Sequence, residues 1–117
     1  MAAKAKSKVK MMKLMGLNEK IETVDGILLV DSNGPLTTKK LIAQVLMGAR
    51  TPEDAVPAFK LALRIYDEED EALFTSTEMD LIRKCSKSID NLANQNRAII
   101  LMALEEAEEV EVEEAHA

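Results

Sequence analysis

The chain has no tryptophan, one tyrosine and two phenylalanines among its 117 residues. Because Phe59, Tyr66 and Phe74 are its only aromatic side chains, a core must be built from Leu, Ile, Val, Ala and Met. Such an aliphatic core suits packed helices better than a β-sandwich. Cysteine is equally scarce. Cys85 stands alone, so no intrachain disulfide can form, which fits a reducing compartment. His116 is the single histidine and has no second ligand or nucleophile near it in sequence, which argues against a metal site and against Cys–His or Ser–His chemistry. Four glycines, none in a Gly-rich run, offer no phosphate-cradling loop. The longest apolar run, Ala98 to Leu104, falls far short of the ~20 residues a membrane span needs. The Lys-rich N-terminus has no apolar core behind it and does not read as a secretory signal. Together these absences predict a soluble, cytoplasmic protein that is not an enzyme and binds no cofactor or metal.

Charge is plentiful but unevenly spread. Residues 1–50 carry nine Lys or Arg against four Asp or Glu, whereas residues 51–117 carry six against seventeen. The basic excess sits in Lys4, Lys6, Lys8, Lys10 and Lys13, and the acidic excess in a tail with seven glutamates from Glu105 onward. Ends of opposite sign suggest partners of opposite sign, or two copies meeting head to tail. The expected organisation is a basic, partly flexible segment over 1–20, one domain over 21–107 and an acidic tail over 108–117. The tail is expected either to prolong the last helix into solvent or to be disordered.

The spacing of Met11, Leu14 and Met15 predicts a short helix that Gly16 ends. Asp25-Gly26 between Ile21–Val24 and Ile27–Val30 predicts a β-hairpin, with both turn residues at positive φ, and Asn33-Gly34-Pro35 stops it. A helix capped by Thr37 or Thr38 buries Leu41, Ile42, Val45 and Leu46 and ends at Gly48. A second helix starts at Thr51-Pro52-Glu53-Asp54, with Val56, Phe59, Leu63 and Tyr66 as its apolar spacing. The acids Asp67 to Glu71 mark its loop. Thr75 and Glu78 form a capping box for a third helix burying Met79, Ile82, Cys85, Ile89 and Leu92. The polar run Asp90 to Asn96 breaks it from a fourth helix carrying Ile99, Ile100, Ala103, Leu104 and Ala107. The fold class predicted is mainly α: a short N-terminal β-hairpin packed on a three- to four-helix bundle.

Asp67, Glu69, Glu71, Thr75 and Glu78 fall at calcium-loop offsets, but Ala72 stands where that loop requires glycine, and the capping box already explains Thr75 and Glu78. Cys85 lies on a buried stripe without a base and reads as a core residue. The candidate partner-binding residues are Lys4, Lys6, Lys8, Lys10, Met11, Met12, Lys13 and Met15. Lysines and adaptable methionines on one segment suit docking on a protein or on a second copy. The same lysines suit phosphate contacts, without an aromatic neighbour to stack bases.

From Val24 to Glu106 the order of features resembles a group of small tailed-bacteriophage and prophage proteins. The residues that carry the resemblance are Asp25-Gly26, Asn33-Gly34-Pro35-Leu36-Thr37, Leu63-Arg64-Ile65-Tyr66, Thr75 to Ile82 and the closing Leu104-Glu105. It implies a viral origin and carries no catalytic or binding residues over. The expectation is a non-enzymatic phage-type accessory or regulatory protein that contacts a protein of phage or host origin, as a homo-oligomer, in the host cytoplasm or in the virion. A nucleic-acid factor using Lys4–Lys13 and a small-ligand-binding oligomer are the alternatives.

Overall fold

The computed structural model describes residues 8–90 and 92–113. The elements run β1 (Lys8–Leu14), β2 (Val30–Asp31), β3 (Gly34–Pro35), α1 (Thr38–Met47), α2 (Pro52–Asp67), β4 (Ala72–Phe74), α3 (Ser76–Ser88), α4 (Asn94–Glu105) and β5 (Glu108–Glu113). Strands β4, β1 and β5 form an antiparallel sheet in that order, and β2 pairs with β3. The architecture is therefore mixed α/β, four helices and a three-stranded sheet among the described residues, and not a helical bundle with an N-terminal hairpin.

The helix starts follow from local chemistry. Thr37, Thr51 and Thr75 each take extended backbone angles, and each hydroxyl accepts the amide proton of the residue three positions on. Thr75 and Glu78 close the capping box: the Glu78 carboxylate accepts from the Thr75 amide at 2.8 Å. Pro52 opens α2, and Gly48 ends α1 by donating to Val45. α3 and α4 are separate helices, and Arg97 of α4 donates to the carbonyls of Ser86 and Ile89 at the end of α3. A cation is thus placed on the negative end of the helix, where carbonyls lack intrahelical partners.

The core is aliphatic apart from Phe74. Leu14, Leu17, Ile42, Leu46, Ile65, Phe74, Ile82 and Ile100 are fully buried in it. Cys85 is buried in the same cluster, and burial pushes its thiol pKa up.

Four expectations change. Residues 8–14 form a strand, not a short helix: Lys8, Lys10 and Lys13 register with Glu113, Glu111 and Glu108 of β5. The acidic tail, as far as Glu113, is likewise a strand and neither a helical extension nor disorder. The opposite charges at the two ends meet within one chain, where directly opposed unlike charges stabilise the pairing. Gly16, at φ 75°, turns the chain after β1, so that Leu17 donates to the Asp70 carbonyl at 2.9 Å.

The hairpin is the third correction. Among the described residues none other than glycine has positive φ, so Asp25 does not occupy the turn predicted for Asp25-Gly26. Gly26 (φ 82°) instead closes a tight loop from Thr23 to Ile27, flanked by one bridge between Glu22 and Leu28. Ile21, Leu29 and Leu36 then exchange backbone hydrogen bonds, and Ile21 and Leu36 anchor the segment in the core.

The fourth concerns α2. Val56, Phe59, Leu63 and Tyr66 are exposed, and the buried stripe is Ala58, Leu61, Ala62 and Ile65. Both stripes have helical spacing, and the buried one combines Ala58 and Ala62 with Leu61 and Ile65.

Candidate functional site

The exposed side chains Phe59, Leu63 and Tyr66 of α2 line a groove between α1 and α2. Phe59, Leu63 and Tyr66 form one wall and Met47 of α1 the other, around a volume of about 580 Å³. These four side chains are between 47% and 60% exposed, a high figure for large apolar groups lying together. Gln44 and the β2–β3 turn complete the lining.

The polar end of the groove is fixed in place. Lys40 donates to the Pro35 carbonyl at 3.0 Å and stands 3.5 Å from the Asp31 carboxylate, and Asp31 in turn accepts from the Asn33 amide at 2.8 Å. One end is therefore ordered and charged, the middle is apolar, and the Tyr66 ring adds an amphipathic rim. The groove lining holds no histidine or cysteine, and its charged pair is engaged in the turn. The groove can bury apolar side chains and orient them with a few polar groups.

A second polar cluster sits where α2 meets the base of the sheet. The Arg64 guanidinium donates to both Glu78 oxygens, at 2.6 and 3.2 Å, and to the Leu73 carbonyl at 3.0 Å, and it lies 4.9 Å from the centre of the Phe74 ring. Glu78 serves the capping box and Arg64 together, and Ala72 lies in β4. At the start of α2, Lys84 approaches Asp54 to 2.6 Å. The Lys84 ammonium, then the Thr51 hydroxyl, holds the Asp54 carboxyl below its usual pKa, and Asp54 holds Lys84 above its own.

The residues singled out on the N-terminal segment are spread apart. Lys4 and Lys6 lie outside the described residues. Lys8 begins β1. Lys10 is exposed, opposite Glu111 and 3.9 Å from Glu109. Met11 is half-buried opposite Val110, and Met12 packs against the core between Phe74 and Glu109. Lys13 is 3.3 Å from Glu71. Met15, past the strand, lines a separate small groove with Met102. Lys10 and Lys13 thus each lie near a glutamate, which lowers the positive potential of their side chains. Phe59, Leu63, Tyr66 and Met47 were not singled out as a site. The available signal was the second apolar stripe on α2, which the alanine stripe leaves without a place in the core.

No family model, no curated protein and no solved structure matches the chain. Among the described residues no helix is long and apolar enough to cross a membrane.

Proposed function

We propose that the chain is a non-enzymatic accessory protein of phage type that acts by holding an amphipathic helix of another protein in the groove between α1 and α2. The observation that carries this reading is the stripe Phe59, Leu63 and Tyr66. These are large apolar groups at i, i+4 and i+7 on a helix whose other face already fills the core. A helical partner presents its own side chains at the same spacing, and burying apolar area contributes roughly 25 cal/mol per Å². Met47 adds an adaptable side chain on the opposite wall.

Affinity capture with the full chain and with Leu63→Glu as baits tests the proposal. Leu63 is half-exposed, so the variant keeps its helical circular dichroism and its melting temperature. A polypeptide retained by the wild-type chain and lost with Leu63→Glu and Phe59→Ser is the expected result. Identical retained sets for all three baits would place the contact elsewhere.

A further inference from the structure

Strand β1 is paired from Lys8 to Lys13 by β5 and on its other side by β4 only at Met12, Lys13 and Leu14. Strand β5 has β1 on one side and, among the described residues, no strand on the other. Its outer edge therefore presents the unpaired amide and carbonyl groups of a six-residue strand, about 20 Å of ladder at the usual rise. The strand reads Glu-Glu-Val-Glu-Val-Glu. Its two valines share a face with Val9 and Met11 through the pairs Val9↔Val112 and Met11↔Val110. On that face a depression of about 320 Å³ is lined by Leu73, Val110 and Lys13.

We infer that the outer edge of β5 is a strand-addition site for an extended basic segment of a partner protein, one that alternates Lys or Arg with aliphatic residues. Three features specify this occupant. A row of carboxylates repels a second copy of the same edge and selects a strand of opposite charge, since like charges directly opposed destabilise a sheet. The chain carries an example of the matching pattern in its own β1, where Lys10 stands opposite Glu111 and Val9 opposite Val112. Among the described side chains of β1, Lys10 reaches Glu109, while Lys13 turns to Glu71 and not to Glu108 opposite it. An added strand would set its cations beside Glu109 and Glu111 and its aliphatic side chains beside Val110 and Val112. Backbone bonds supply affinity in this mode, and alternate side chains supply specificity. The site is separate from the α1–α2 groove and stands or falls independently of it.

The test uses the full chain and three labelled peptides, read by fluorescence anisotropy at low and high salt. The first alternates Lys and Val, the second alternates Glu and Val, and the third is the Lys–Val peptide N-methylated at alternate residues. The Lys–Val peptide should bind, weaken as salt rises, and slow amide exchange across residues 108–113. The N-methylated peptide, with the same charge but several backbone bonds removed, should bind at least about tenfold more weakly. Glu109→Lys with Glu111→Lys should abolish binding, whereas Leu63→Glu should leave it unchanged. Equal binding of the methylated and unmethylated peptides would reduce the edge to a charged surface and overturn the inference. So would self-association of the chain through β5, or failure to bind at low salt.

Discussion

The helical body and the β1–β5 ribbon are held together by different physics. In the body, Phe74, Ile65, Ile82 and Ile100 are completely removed from water, Thr75 caps α3 and Arg64 pairs with Glu78. In the ribbon beyond Met12, Val9 is 36% exposed, Lys10 is exposed, and the neighbouring Glu109 and Glu111 are exposed as well. Burial stabilises the first, and backbone pairing with opposed charges stabilises the second. The two regions should therefore respond to different perturbations. Core truncation should be felt by the body, and salt by the ribbon.

The largest expected effect sharpens that contrast directly. Phe74→Ala removes a fully buried ring and should cost about 3–5 kcal/mol in urea unfolding. Val110→Ala in the half-buried ribbon should cost less than about 1 kcal/mol by the same measurement. Similar losses at the two positions would erase the distinction.

Thr75→Ala probes the junction between sheet and body, because β4 runs straight into the cap of α3. Losing the hydroxyl that accepts the Glu78 amide should lower stability by about 1 kcal/mol, measured by thermal or urea unfolding. The loss should not depend on salt, which would group this end of the sheet with the body.

Hydrogen exchange addresses the ribbon itself. Raising salt well above physiological strength screens exposed charges separated by more than about 3–8 Å. Amides of residues 9–11 and 110–112 should lose protection by a few-fold, as expected for pairs worth ~0.2–1 kcal/mol, while those of α1 and α3 keep theirs. Uniform protection at both salt concentrations would break the comparison from the ribbon side.

The smallest effect concerns pH. The folded-state pKa of Asp54 is depressed, so its contribution is present above the unfolded value near ~3.9 and is lost as pH falls through the lower folded value. Lys84 is raised, so its contribution is present below about 10.4 and is lost as pH rises through the higher folded value. The melting-temperature difference between wild type and Asp54→Asn should be largest on the plateau between these limits and shrink beyond either. A difference that grew in acid would reverse the assignment.

The residues that could be read in advance are those whose chemistry closes over a few positions. Thr37, Thr51 and Thr75 cap the helices they precede, Gly48 ends α1, and the run after Ile89 separates α3 from α4. The stripe Leu41, Ile42, Val45 and Leu46 is buried as its spacing indicates. On α2 the same rule pointed to the wrong face. Two stripes competed, and the one that holds Ala58, Leu61, Ala62 and Ile65 is buried. That choice left Phe59, Leu63 and Tyr66 as the candidate site. At the ends, Met11, Leu14 and Met15 mimicked helical spacing, although Glu-Val-Glu-Val-Glu in the tail already alternated with the period of a strand.

Sequence alone thus determined the starts of α1, α2 and α3, their threonine caps and the largely aliphatic character of the core, because each is settled by neighbours within one or two turns. Only the tertiary structure decided that Lys8–Leu14 pairs with Glu108–Glu113, and that α2 turns its alanines inward. Both depend on groups distant in the chain. A strand is stabilised by the partner that satisfies its backbone, and a helix face is buried according to which neighbour can approach it, and neither partner is specified by the segment's own periodicity.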